Sequence, residues 1–155
     1  MNKIYSQKTN KNYKIAVVTT KWNEIITEKL LSGALKSLEV NNIKDGNITI
    51  VTVDGAYEIP ITCKELAKSK KFDGIVALGC VIRGETPHFD FVAGDCSRGI
   101  TDVMLEFGIP IGFGLLTTDN TEQAFARSGG EKGNKGFEAT ETTLNMISIL
   151  EQIKG

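Results

Sequence analysis

The chain predicts an α/β fold, a parallel sheet with helices packed on both of its faces, and three observations carry that prediction. Four short runs rich in β-branched and other apolar residues, 14–19 (KIAVVT), 48–53 (ITIVTV), 74–80 (GIVALGC) and 111–116 (IGFGLL), have the length and composition of strands covered on both sides. The segments between them carry helical periodicity. Strand, helix, strand, helix at this rhythm means βαβ units with right-handed crossovers and a parallel sheet. A length of 155 residues, 41% of them hydrophobic, is enough for one domain with a real core.

Taken in order, residues 1–12 are polar and form a loose amino-terminal arm, and 13–155 make a single domain. The first strand, Lys14 to Thr19, runs through the turn TTKWNE into a helix from Glu24 to Val40. There Ile26, Leu30, Ala34 and Leu38 stack at every fourth position, and Asn41-Asn42 ends the run. The second strand is followed by DGAYEIP. Gly55 permits a sharp turn, and Pro60 is tolerated only in a first helical turn, which puts a helix over Glu58–Lys70.

The third strand leads through Arg83-Gly84 to Thr86-Pro87. Threonine is a good N-cap, and proline at the first helical position gives up an N–H that has no partner there, so a helix begins at Pro87. Phe89, Val92, Ala93, Cys96, Ile100, Val103, Met104 and Phe107 give it one apolar face. After the break Gly108-Ile109-Pro110 comes the fourth strand. A short helix follows, with capping-box spacing at Asp119 and Glu122 and a glycine stop at Gly129-Gly130. EKGNKG is a flexible link to a last helix over 134–153. Leu144, Met146, Ile147, Ile149, Leu150 and Ile153 make that helix apolar around more of its girth than a four-stranded sheet covers, so part of it should meet another subunit.

All four strands of such a sheet end on one rim, where ligands of open α/β sheets bind. The residues there are Trp22-Asn23, Gly55 to Glu58, Val81 to His88 and Thr117-Thr118. His88, the single histidine, falls in the first turn of the helix after the third strand. An imidazole exchanges protons near neutral pH, which makes His88 a candidate general acid and base, the plain alternative being a surface histidine beside a turn. The N–H groups of Gly84, Glu85 and Thr86, at the positive end of the same helix, suit an anion such as phosphate.

Composition narrows the partners. A net charge of −1 without a dense basic stripe argues against nucleic acid or an anionic membrane as the main partner. No run approaches the ~18 apolar residues of a membrane span, and the first residues lack a signal peptide's apolar core, so a cytoplasmic protein is the simplest expectation. Cys63, Cys80 and Cys96 read as reduced core residues, and one histidine with no Cys-x-x-Cys leaves no credible zinc site. The glycines follow neither GxGxxG after the first strand nor GxxxxGK[ST], which removes both common nucleotide cradles.

Five separated motifs, Trp22-Asn23, GAYEIP at 55–60, GCVIRGETPHFDFV at 79–92, IGFGLLTTDNTEQAFAR at 111–127 and GNKG at 133–136, resemble the 6,7-dimethyl-8-ribityllumazine synthase family in order and spacing. The likeness covers nearly all of 13–150. It implies a flavodoxin-like three-layer αβα sandwich with a four-stranded parallel sheet. The activity it implies is condensation of 5-amino-6-(D-ribitylamino)uracil with 3,4-dihydroxy-2-butanone 4-phosphate, releasing phosphate and water, with no metal or redox cofactor. This is the penultimate step of riboflavin biosynthesis.

Residue by residue, the resemblance implies that Trp22, beside Asn23, stacks on the pyrimidine, and that Ala56, Tyr57 and Glu58 hold the pyrimidine and its ribityl chain. Cys80, Val81 and Ile82 would line the heterocycle pocket, Glu85 and Thr86 would contact the phosphate, and His88 would move protons. Phe113 as a pocket wall and Arg127 as the phosphate clamp would come from the adjacent subunit. Each position has an ordinary alternative: packing for Trp22, a first-turn acid for Glu58, core for Phe113, a helix-end cation for Arg127. Family members are pentamers or icosahedral shells of twelve pentamers, and a shell leaves room for riboflavin synthase. The link SGGEKGNKG lacks the insertion of the pentamer-only pattern, so a shell is expected. Gly94-Asp95-Cys96-Ser97-Arg98 departs from the small residues of many relatives, which bears on helix packing and subunit contacts rather than on the site.

Competing readings differ in chemistry. An archaeal-type riboflavin synthase joins two lumazines that carry no phosphate, whereas GETPH and Arg127 suit one. A non-catalytic shell or flavin-binding protein would have no need of His88 and Arg127, and a flavodoxin-like regulator would match five motifs only by accident.

Overall fold

A computed structural model describes residues 1–8 and 11–155; of the arm expected over 1–12, Thr9 and Asn10 lie outside the described residues. The strands are β1 (Ile15–Thr20), β2 (Ile48–Val53), β3 (Gly74–Ile82) and β4 (Ile111–Thr118), hydrogen-bonded in the order β2-β1-β3-β4 with every pairing parallel. Between and after them run α1 (Glu24–Val40), α2 (Ile59–Lys68), α3 (His88–Phe107), α4 (Thr121–Arg127) and α5 (Lys135–Lys154).

The central strands are buried on both faces, which is why they show no polar alternation. Val17, Val76 and Leu78 point into a core closed by Leu30, Leu38 and Ile147 of α1 and α5. Val18, Ile75 and Ala77 point the other way, onto Ile59 and Cys63 of α2 and Cys96 and Ile100 of α3. The chain is therefore the three-layer αβα sandwich of the flavodoxin-like class. α1 and α5 pack backbone to backbone at Gly136, where an added Cβ would meet the carbonyl oxygen of Leu30.

α1 and β2 span the predicted residues. β3 and β4 each run two residues further, because Val81 and Ile82 pair with Thr117 and Thr118. α2 is shorter than 58–70: a 3-10 turn at Ala56–Glu58 precedes it, and Lys70 adopts a left-handed φ of 57° two residues past its end. α3 starts one residue after Pro87, with the Thr86 hydroxyl accepting from the His88 N–H at 3.4 Å.

The cap of α4 is not the Asp119–Glu122 pair. Asn120 is the N-cap, its Oδ1 accepting from Gln123 N–H at 2.9 Å, while Gln123 Oε1 accepts from Asp119 N–H at 2.8 Å. The glutamine stands at capping-box spacing from Asn120 but bonds the N–H one residue before the cap. The link expected to be flexible, EKGNKG, contains β6 (Gly133–Asn134), which pairs antiparallel with β5 (Ser128–Gly130) just before it, and Asn134 caps α5 through Phe137 N–H.

On α5, Leu144 and Ile147 are buried, whereas Met146 and Ile153 are exposed. The amino-terminal residues lie along this helix: Gln152 Nε2 donates to Tyr5 O at 2.9 Å, and Gln7 N–H donates to Ser148 Oγ at 3.1 Å. Among the described residues no helix is long and apolar enough to cross a membrane.

Burial raises the thiols of Cys63 and Cys96 to about 12 and that of Cys80 to about 11, from 9.0. The buried form is the neutral one, so the stability that follows is fully present below pH 9 and is lost as pH climbs towards 11–12, where the unfolded chain releases protons the folded chain retains. Native protein at pH 8 should accordingly resist an aromatic disulfide reagent and yield three thiols only on unfolding, which a colorimetric thiol count checks.

Candidate active site at the sheet rim

The β1–α1 turn is tied to the end of β2 by its main chain: Lys21 N–H donates to Val53 O at 2.9 Å and Trp22 N–H to Asp54 O at 3.0 Å. Asn23 takes the left-handed conformation (φ 60°), which asparagine tolerates better than most residues. Its Nδ2 reaches across to Cys80 O at 2.8 Å, so one side chain joins the ends of β1 and β3. The Trp22 ring lies over Gly55, where an added Cβ would stand 2.5 Å from Cε3. Glycine there allows the indole to pack directly against the loop while remaining 64% exposed, an apolar platform open to solvent.

Beside it Ala56 is buried, Tyr57 is exposed and Glu58 is half-buried. Glu58 Oε1 accepts from Gly55 N–H at 3.0 Å, which closes the turn against which the indole packs. At the end of β3, Cys80 is buried and Val81 and Ile82 are half-buried. The loop from Arg83 to Pro87 and His88 itself are exposed. Main-chain donors of that loop stand at the amino end of a 20-residue helix with the imidazole in its first turn. An anion and a proton-transfer group can thus be served within one turn of chain.

Trp22, Asn23, Ala56, Tyr57, Glu58, Cys80, Val81, Ile82, Glu85, Thr86 and His88 are brought to this one rim. Phe113 and Arg127 are not. Phe113 pairs in register with Ala77, five rungs before the rim pair Ile82 and Thr118, or roughly 16 Å along the strand. It projects 41% exposed from β4, an edge strand. Arg127 stands at the last residue of α4, its guanidinium donating to Gln123 O at 3.1 Å.

Sequence reasoning passed over Arg83. Its N–H donates to Thr118 O at 2.8 Å, Nε lies 3.3 Å from Asp119 Oδ1, and a terminal nitrogen lies 3.4 Å from Asp90 Oδ1. The guanidinium carbon sits 4.3 Å from the centroid of the Phe89 ring. The register of β3 with β4 holds the signal, because the residues following the pair Ile82 and Thr118 are Arg83 and Asp119.

A groove of about 910 Å3 lies elsewhere, between α1 and the approach to β2, lined by Leu31, Leu35 and Ile48 with Glu28, Lys36 and Lys44. It holds solvated charges and aliphatic chains, with no imidazole, aromatic platform or helix amino end, so the chemistry favours the rim. Residues 12–151 match the family model described as 6,7-dimethyl-8-ribityllumazine synthase.

Proposed function

Because the chain belongs to the 6,7-dimethyl-8-ribityllumazine synthase family, and so is a transferase of riboflavin biosynthesis, we propose that it condenses 5-amino-6-(D-ribitylamino)uracil with 3,4-dihydroxy-2-butanone 4-phosphate at the sheet rim. The observation that carries this is the junction of Trp22, Glu58, the Glu85-Thr86 main chain and His88 on one edge, fastened by the bond from Asn23 to Cys80 O. A flat heterocycle stacks on the indole. The Ala56 and Cys80–Ile82 main chain reads its polar edge, Tyr57 borders it, and Glu58 accepts from ribityl hydroxyls.

The 5-amino nitrogen attacks the ketone carbon, and loss of water gives an imine. Departure of phosphate by elimination leaves an enol that becomes a carbonyl. The ribitylamino nitrogen closes the ring there, and a second water leaves. Every step moves protons, and His88 receives and returns them. Arg127 of an adjacent subunit closes on the phosphate and Phe113 walls the pocket, which fits their standing apart from the rim within one chain. The assay supplies both substrates and follows lumazine absorbance with released phosphate. Equal amounts of the two products are expected, and neither appearing would dismiss the reading.

The amine and ketone are already reactive, so most of the acceleration comes from holding them together. His88→Ala is therefore expected to lower kcat only about tenfold, less than general acid–base catalysis often contributes, with both KM values nearly unchanged in steady-state kinetics.

We further propose a cytoplasmic protein assembled as a shell of pentamers. The hairpin makes the α4–α5 link short and bonded, with Lys132 N–H donating to Ala126 O at 2.8 Å. Sedimentation at neutral pH is expected to show a particle far larger than a pentamer; a pentamer alone would rule the shell out.

A further inference from the structure

We propose that Arg83 is a positioning residue that holds the phosphate-binding loop in its working shape, an inference that rests on the function proposed above. The Arg83 side chain leaves the chain just before the loop and meets Phe89 and Asp90 just after it. The closed segment between those contacts is Gly84, Glu85, Thr86, Pro87 and His88, which holds both the main-chain donors and the imidazole. Nothing lies within 4 Å of the place where a Cβ on Gly84 would stand, so packing does not fix the loop at that point.

The second carboxylate, Asp119, anchors the same guanidinium to the β4–α4 turn, and the Asp119 N–H is itself held by Gln123 in the first turn of α4. One planar group therefore fixes the loop of its own site and the start of the helix whose far end carries Arg127. Each ion pair alone is exposed and weak. Together with the ring they hold the guanidinium from three sides, a geometry a lysine ammonium does not reproduce. With its donors directed at two carboxylates, Arg83 shapes the loop and leaves the phosphate to the main chain and to Arg127 of the adjacent subunit.

The test compares Arg83→Met, Arg83→Lys, Asp119→Asn and the double variant Arg83→Met/Asp119→Asn with the wild type, by steady-state kinetics and by calorimetric titration with inorganic phosphate. Arg83→Met is expected to raise the KM for the butanone phosphate and the Kd for inorganic phosphate about fivefold each, leaving the KM for the pyrimidine within about twofold. Arg83→Lys falls between, and Asp119→Asn moves in the same direction as Arg83→Met. The double variant is no worse than Arg83→Met alone, the mark of one shared interaction.

Unchanged phosphate affinity, or an equal loss for both substrates alongside a lower Tm, would overturn the inference. So would tighter phosphate binding by Asp119→Asn, which would mean that the freed guanidinium grips the anion itself. If the wild type forms no lumazine, the proposed reaction fails, while the titrations with inorganic phosphate still decide the role of Arg83.

Discussion

Arg127→Ala is expected to lower kcat/KM by about a hundredfold, nearly all of it through the butanone phosphate. A guanidinium meets a phosphoryl group with two parallel charge-assisted hydrogen bonds, and removing it leaves a doubly charged group facing main-chain donors alone. Within its own chain Arg127 has a light commitment, one bond to Gln123 O at the end of a seven-residue helix, so little of the loss should come from unfolding. Pyrimidine affinity and Tm should stay near the wild-type values. Comparison with His88→Ala sharpens the point: if binding and orientation dominate, the arginine variant is the more damaged, and a dead histidine variant beside a healthy arginine variant would refute that order.

Gly136→Ala is expected to destabilise the fold by about 3 kcal/mol, lowering Tm by roughly 10 °C, although alanine is the better helix former. The added methyl would strike the Leu30 carbonyl oxygen and lie 2.8 Å from its carbon and 3.0 Å from its Cα. These are backbone atoms on the buried face of α1, so no rotamer change relieves the clash and α1 must move off α5. The pair is also joined by Ser37 and Asn41, which donate to Glu141 at 2.8 Å and 2.7 Å, and separation would strain both bonds. Gly46→Ala, with open space around the new carbon, should change stability by less than about 0.5 kcal/mol in the same thermal melts.

The periodicity of Ile26, Leu30, Ala34 and Leu38 placed α1, because an amphipathic helix writes its buried face into the chain, and Asn41-Asn42 marked its end. The run ITIVTV did the same for β2. Strand ends were less legible: whether Val81 and Ile82 continue a strand depends on whether Thr117 and Thr118 lie alongside, and that is a property of pairing. The hairpin of β5 and β6 is too short and glycine-rich to carry a pattern. At α4 two neighbouring residues could both cap, and Gln123 decided for Asn120.

The rim was legible because tryptophan, histidine and the Thr-Pro helix start all mark loops at strand ends. Arg83 was not, since a lone arginine in a loop has no periodicity and its partners come from two separate elements. Phe113 and Arg127 look like core and helix-end residues within one chain, and any other role for them depends on a second copy.

A hybrid assembly tests the central claim of a site shared between subunits. One parent chain carries Trp22→Ala with His88→Ala, the other Arg127→Ala, and the two are unfolded together and refolded in equal amounts. One parent has lost both the stacking platform and the imidazole and the other the phosphate clamp, so each alone is expected to keep at most about a few per cent of the wild-type rate. In a head-to-tail ring about one quarter of the interfaces then pair an intact rim with an intact Arg127 from the next subunit, so about one quarter of the wild-type rate should return. A mixture no more active than the sum of its parents would contradict the account.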